Sequence, residues 1–384
     1  FHTFDDPRGS RLRTVRMDRR WYPANHCRRD DSLGVWPCEP LAAVGVAPPP
    51  EAATTRFIHY DDRRRDRLAA SLVMVNFDMP FPVAGVSERH YHGTGVVIDA
   101  REGLVVVDRN TVPISLGDVR ITFAGSLEIP GRVEWIHPLH NLAVVAYDPA
   151  LVGGTKVRSA SFNLDPVEPG DKLWVVGLKG DHSLVVQSTE VASIDPVSFP
   201  LSRTLRFRDT NLETVSLVNA PTEFDGVLTD GDGRVVSLWS SFAYHAGKDL
   251  EQVNKGVPAE IVAEVIDTVR EGRPIRSLEA EFVRLPLSSA RSLGLPAEWI
   301  SQLEGDDPRR RQALQVLRVV AGTPAAKVLR PGDLLLSIDG EVVTSFREVE
   351  TRSQKESVDA VIWRDGEQQS HALRTVPLDG RDLD

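Results

Sequence analysis

Covalent hydrolysis needs a nucleophile, a base to take its proton and an acid to orient that base. The residues able to supply those roles are thinly spread in this chain. His137 and His140 lie three apart in the string HPLH, and Thr222 is near the loop in PTEFDGVLTDGDG (221–233), a string rich in Asp and Gly. A triad needs matched positions on several strands, so the plainer reading is preferred: His137 and His140 as surface turn residues, Thr222 as a loop residue. The i, i+3 spacing of the two histidines would also suit a metal, but two histidines without a third ligand are a weak zinc signal. His90 and His92 in HYH (90–92) share a strand face, with no acid or cysteine partner evident. Neither a metal nor a cofactor is therefore expected. Cys27 and Cys38 read as two unpaired thiols, which leaves the redox compartment open.

The elements that would position such residues are mostly strands. SLVMVNF (71–77), TGVVID (94–99), GLVVVD (103–108), DVRITF (118–123), GRVEWI (131–136) and NLAVVAY (141–147) are short β-branched runs. KLWVVGL (172–178), SLVVQSTEVASI (183–194), ETVSLVN (213–219) and RVVSLWSS (234–241) continue the series. Gly, Pro, Asp and Asn punctuate them, which indicates a sandwich or barrel, and two consecutive six-stranded barrels fit the count. Ile261, Val262, Val265, Ile266 and Val269 then recur at helical spacing, after Pro258 and before Gly272, predicting an amphipathic helix over 257–272. A small α/β module follows. Its strands are predicted at 278–286, 314–320, 333–340, 358–366 and 368–376, and its helices at 287–294, 323–329 and 344–355, with RDGEQQ (364–369) as a hairpin turn.

The N-terminal stretch differs. RLRTVRMD (11–18) alternates like an exposed edge strand, with Leu12, Thr14 and Val15 as inward candidates, and DDPRG (5–9) before it makes a hairpin plausible. VAPPPEAATTR (46–56) reads as a stiff linker, and DDRRRDR (61–67) as a solvated helix start. Four regions result: 1–45, the end of a domain that began upstream; 46–69, linker; 70–272, the β-rich domain; 273–384, the α/β module.

Acids outnumber bases 55 to 45, giving a net charge of −10, which argues against a general nucleic-acid binder. No apolar run is long enough to span a bilayer. There is no signal peptide, but the chain starts at Phe1, so an upstream signal would be invisible and the compartment is unknown; a periplasmic or envelope location suits a bacterial source.

Three strings carry a resemblance. GLVVVDRNTV (103–112), HPLHNLAVVAYDP (137–149) and APTEFDGVLTDGDGRVVSLWS (220–240) occur in the order and at the spacing of the His, Asp and Ser segments of the HtrA/Deg family of trypsin-like serine proteases. HGTGVVID (92–99) resembles that family's opening strand. VVAGTPAAKVLRPGDLLLSIDGEVVTSFREVE (319–350) resembles a PDZ domain, which that family carries after its protease domain. GLVVVDRNTVPISLGDVRITF, IPGRVEWIHPLHN and MDRRWYPANHCRRDDSLGVWPCE (17–39) are most similar to the C-terminal half of the tandem members, fungal nuclear and plant chloroplast, whose second protease-like domain is degenerate. The resemblance implies a mainly β chain: a trypsin-like double β-barrel, then an α/β PDZ domain, preceded by the tail of another PDZ-like domain.

It also implies a site without its chemistry. Asn110 stands at the His place, Asn141 at the Asp place and Phe224 at the Ser place, and no Ser lies within 218–236 to replace it. Phe has no nucleophilic atom and an amide is not a base, so acylation has no route. Asp225, where the family has Gly, would set a carboxylate against a developing oxyanion. In the PDZ module the carboxylate-binding loop falls at Arg276, Ser277, Leu278, Glu279 and Ala280. Glu279 occupies a usual Gly position, which disfavours a terminal carboxylate unless Arg276 compensates. Binding of internal peptides or a partner domain, and a PDZ fold used only for packing, both stand.

The expected function is thus a pseudoprotease half of an HtrA/Deg-type protein, acting in substrate or peptide binding, assembly or regulation of protein quality control. Expected partners are unfolded or extended polypeptides, an upstream protease half of the same protein, and further copies in a homo-oligomer. Two alternatives remain: part of an active ATP-independent serine endopeptidase whose triad lies upstream, and a free-standing PDZ adaptor.

Overall fold

A computed structural model describes residues 3–5, 11–17, 20–23, 51–80, 89–199, 209–246 and 249–381. Cys27, Cys38 and the side chains of Leu12, Thr14 and Val15 lie outside what is described, as does most of 17–39. Phe1–Glu51 and Ala52–Asp384 are two compact units. In the first, β1 (Thr3–Asp5), β2 (Arg11–Met17) and β3 (Arg20–Pro23) form an antiparallel sheet, and Asp5 pairs with Arg11 as the hairpin expectation requires.

In the second unit, Asp62 caps helix α1 (Arg63–Ala69) by accepting from the backbone N–H of Arg64 and Arg65. Strands β4 (Leu72–Asp78), β5 (His90–Asp99), β6 (Leu104–Val107), β7 (Asp118–Phe123), β8 (Leu127–Ile136) and β9 (Ala143–Tyr147) close a six-stranded barrel. Strands β10 (Lys172–Leu178), β11 (Leu184–Pro196), β12 (Glu213–Val218), β13 (Gly226–Thr229), β14 (Val235–Ala246) and β15 (Asp249–Pro258) close a second. Helix α2 (Ala259–Glu271) follows and ends at Gly272, whose φ of +66° gives the left-handed cap that glycine provides at least cost.

The apolar runs of the first barrel are continuous because both faces of its strands are covered. Val105, Val107 and Val145 point into the barrel, while Val106, Val144 and Ala146 point outward into a core shared with Val176, Val227 and α2. The second barrel is filled by Leu173, Val175, Val215, Leu228 and Trp239. Between β10 and β13 the chains approach so closely that a Cβ on Gly177 would lie 2.0 Å from the Asp225 carbonyl oxygen and 2.7 Å from the Phe224 ring.

The C-terminal module pairs β16 (Ile275–Ser277) with β23 (Val376–Leu378). Its main sheet runs β17 (Ala280–Pro286), β18 (Gln312–Val319), β19 (Leu334–Ile338), β21 (Ser357–Arg364), β22 (Glu367–Arg374), with β20 (Glu341–Val342) on β19. Helices α3 (Leu287–Ser292), α4 (Ala297–Asp306) and α5 (Phe346–Arg352) complete it. A capping box between Ser345 and Glu348 starts α5.

Two barrel strands, β13 and β15, and helix α4 are additions to the sequence-based elements. The helix expected at 323–329 is a single 3-10 turn, Ala325–Lys327.

Candidate functional site

The turn after β6 carries Asp108, Arg109 and Asn110; the loop before β9 carries Asn141; strand β14 carries Ser241. These segments meet at Ser241. Asn110 donates from Nδ2 to Ser241 Oγ at 2.8 Å, and Asn141 donates from Nδ2 to the Ser241 carbonyl at 2.7 Å. Asn141 Oδ1 accepts the Arg109 backbone N–H at 2.9 Å. The carboxylate of Asp108 accepts from the Ser241 N–H at 2.8 Å, the Ser241 hydroxyl at 3.2 Å and the Thr111 N–H at 2.8 Å. The backbone and hydroxyl groups of Ser241 are thus all engaged. The structure brings Asn110 and Asn141 to one residue. Ser241 itself was missed in the sequence, where three serines in the apolar strand VVSLWSS were the available signal.

Phe224 takes a different role. Its ring is buried with Leu173, Val175, Leu228 and Trp239 in the second barrel's core, 8% exposed. The position expected to match the nucleophile is a packing position. Its neighbour Asp225 turns toward the first barrel: a Cβ on Gly93 would lie 2.2 Å from Thr111 Oγ1 and 3.2 Å from Asp225 Oδ2. Asn254 Nδ2 donates to Asp225 Oδ1 at 3.1 Å. Burial, reinforced by the charge of Asp108, pushes the Asp225 carboxyl well above the ordinary aspartate range. Burial likewise raises Asp108, partly offset by its bonds from Ser241 and Thr111. Asp225 therefore holds its proton into a range where surface aspartates are charged.

His137 and His140 are not surface turn residues. Each is 1% exposed, and their rings stand 4.6 Å apart, covered by α5. The sequence hides this because the covering acid is remote: Glu350 Oε1 lies 2.8 Å from His140 Nε2. Burial alone would lower the His140 pKa, but the charge and hydrogen bond of Glu350, with Asp209 nearby, raise it. Burial alone would raise Glu350, but His140 and Arg347 take it well below the usual carboxylate range. Arg347 continues the chain to Glu264 of α2 at 2.6 Å. Burial pushes Asp209 up to about 7, against the pull of His140 and Arg109.

The donor atoms of His137, His140 and Glu350 lie within 4.8 Å of one another, close enough for a metal. The imidazole of His137 is in the wrong state for one. Its Nδ1 accepts the backbone N–H groups of Leu139 and His140 at 3.1 and 3.0 Å. That places the ring proton on Nε2, whereas a ligating histidine donates from its second nitrogen. The donor set suits an ion pair. Thr222 is exposed on its loop, and His90 pairs with Asp78 at 2.5 Å, the acid that the sequence reading did not identify.

In the C-terminal module, β17 is an edge strand facing α5. Leu278, Ala280 and Phe282 line, with Phe346 and Val349, a cavity of only about 30 Å³. The remaining space is small because Thr210 and Asn211 of the second barrel sit against it. Asn211 Nδ2 donates to the Ala280 carbonyl, and Asn211 Oδ1 accepts the Phe282 N–H, both at 2.8 Å. Glu213 pairs with Arg284, both nearly buried, and also accepts the Phe346 N–H at 3.4 Å. In the loop before β17, Glu279 adopts a φ of +54°, the conformation for which glycine is usual. Its N–H donates to Ser277 Oγ at 2.8 Å. The Arg276 N–H donates to Gln354 Oε1 at 2.9 Å, and Arg276 Nε to Thr375 Oγ1 at 2.8 Å.

A double six-stranded barrel followed by this module is the architecture of trypsin-like proteases that carry a PDZ domain. Residues 315–364 match the PDZ domain family. The chain is 32% identical over 392 residues to a PDZ domain-containing protein of Schizosaccharomyces pombe, a match covering 99% of the chain and 39% of that protein. It is 31% identical to pro-apoptotic serine protease NMA111 of Phaeosphaeria nodorum, over 96% of the chain and 37% of that protein. The Aspergillus niger protein of the same name is also 31% identical, over 96% of the chain and 38% of its own length. Among solved structures, the HtrA-type protease AlgW with tripeptide superposes with a TM-score of 0.56 at 17% identity, covering 82% of this chain and 95% of that one. The chain is of the HtrA/Deg type, a trypsin-like protease fold with a PDZ domain. It spans less than two-fifths of the length of the curated relatives named here.

Proposed function

We propose that this chain is a non-catalytic half of an HtrA/Deg-type protein, which contributes polypeptide binding, assembly or regulation to protein quality control while cleavage is carried out elsewhere. The observation that carries this reading is the fate of the three triad positions. Asn110 and Asn141 are tied into a hydrogen-bonded network around Ser241, and Phe224 is packed into a barrel core. No hydroxyl, base or orienting acid stands at those places, so acyl transfer has neither a nucleophile nor a proton acceptor there. Asp225 compounds the loss. Its N–H would be a natural oxyanion donor, but its carboxyl is drawn inward beside Asp108.

The polypeptide partner follows from the fold type, and the solved relative was obtained with a tripeptide. A second surface also has suitable dimensions. A cleft of about 570 Å³ lies between the second barrel and α5, lined by Val167, Ile194 and Val215 on one side and Arg347 and Arg352 on the other.

A second reading keeps proteolysis in the whole protein: two of the relatives are named serine proteases, and each is more than twice as long as the matched region. The two readings agree on this chain and differ on what accompanies it. Casein digestion with parallel fluorophosphonate labelling of the purified chain tests the claim they share. Absence of cleavage and of labelling fits a non-catalytic half; cleavage with one labelled residue would sink it.

A further inference from the structure

We propose that the groove between β17 and α5 recognises an internal, extended segment of the form Asn-x-acid, and that the chain's own Asn211–Leu212–Glu213 occupies it. This rests on the reading of the module as a polypeptide-binding PDZ domain, and names the ligand class and the present occupant.

An edge strand binds a peptide by exchanging backbone hydrogen bonds with it, an N–H and a C=O at alternate residues of one edge. On β17 those groups are the Phe282 N–H and the Ala280 carbonyl. Both are taken by one side-chain amide, that of Asn211, each at 2.8 Å. A carboxamide has the same donor and acceptor geometry as a peptide group, so Asn211 is a surrogate for a ligand's backbone. Its own φ of +53°, which Asn tolerates better than most residues, turns the side chain toward β17 while Leu212 is buried in the core shared by the two barrels and α2.

Two residues on, Glu213 meets the second recognition element. Its carboxylate pairs with Arg284, a guanidinium only 8% exposed on the side chain, and approaches the Phe346 N–H. A buried guanidinium without a carboxylate would be costly, so Arg284 selects for an acid at this point. The loop for a terminal carboxylate is, by contrast, already engaged at three of its groups. The N–H of Glu279 is bonded to Ser277, that of Arg276 to Gln354, and the Arg276 guanidinium to Thr375. The Glu279 side chain adds a negative charge to the same loop. The ligand class is therefore an acidic internal stretch with no free end.

The experiment compares the full chain with the Asn211→Ala/Glu213→Gln variant, using two fluorescent peptides in anisotropy titrations. One is DTNLETV capped at both ends; the other ends in a free apolar carboxylate. The wild type is expected to bind neither, because its groove is filled. The variant is expected to bind the capped peptide at least tenfold better than the free-carboxylate peptide, and Arg284→Gln added to it is expected to abolish that binding. Hydrogen exchange provides a second reading that needs no ligand: the Phe282 amide is expected to be protected in the wild type and to exchange at least tenfold faster in Asn211→Ala, with β19 amides unchanged. Tight wild-type binding of the free-carboxylate peptide would overturn the proposal. So would a folded variant that binds neither peptide, or an unchanged Phe282 exchange rate. None of these results bears on acyl transfer, so the test separates this inference from the non-catalytic reading.

Discussion

Asn110 donates its amide proton to the hydroxyl of Ser241 at 2.8 Å, and that hydroxyl lies 3.2 Å from the carboxylate of Asp108. Asn110 is thus a fixed link in a hydrogen-bonded network. Ser241→Ala removes the hydroxyl while leaving the Asn110 donor in place. Asn110 is half-buried, so the donor left without its partner costs toward the low end of about 1–3 kcal/mol. Urea denaturation of the variant should show a loss in that range, and an unchanged midpoint would mean the network is not formed.

Phe224 is held by the core of the second barrel. Phe224→Ala is expected to destabilise by about 3–5 kcal/mol, the usual cost of truncating a buried aromatic. Phe224→Ser should cost at least as much, so a hydroxyl at this place weakens the fold. Thermal denaturation checks this, and a loss below about 1 kcal/mol would place the ring outside the core.

The buried carboxyls of Asp225 and Asp108 work in the opposite sense to most acids. Both have folded-state pKa values raised by burial, so the native state holds protons that the unfolded chain releases. Stability from these groups is full below their unfolded pKa and falls as pH rises from about 4 toward their folded values. Asp225→Asn keeps the acceptor for Asn254 and removes the titration. The variant should gain stability on the wild type as pH is raised from 5 to 8; parallel stability curves would contradict this.

His140 and Glu350 bind the first barrel to α5. The Glu350 pKa lies below its ordinary 4.5, so its contribution is present above that value and lost as pH falls through the folded pKa. The His140 pKa lies above its ordinary 6.5, so its contribution is full below 6.5 and lost as pH rises through the raised value. Glu350→Gln should lower the His140 pKa, readable by imidazole proton NMR, and cost about 3–5 kcal/mol as a broken buried pair. An unshifted His140 titration would show that the contact does not form.

Local patterning carried much of the fold. Ten of the twelve barrel strands are visible as β-branched runs, and the five apolar positions of α2 recur at helical spacing. Strand β15 escaped because DLEQVNKGVP is polar and pairs along a twisted hairpin with β14, where register and not hydrophobicity sets the strand. Strand β13 has only four residues, all of them in the loop string that carried the family likeness. Helix α4 buries only Ile300 and Leu303, too few for a periodic signal. Family spacing singled out Asn110, Asn141 and Phe224, and nothing in their local patterning would have done so. Glu350, 210 residues beyond His140, and Arg284, 71 beyond Glu213, were not, because pairing across domains leaves no local trace.

The most direct test of the account is fluorophosphonate labelling of the purified chain, followed by intact-mass spectrometry and casein digestion of the same sample. The account predicts an unmodified mass and undigested casein after prolonged incubation. A single adduct of one probe mass, together with casein fragments, would contradict it, and the labelled residue would become the nucleophile.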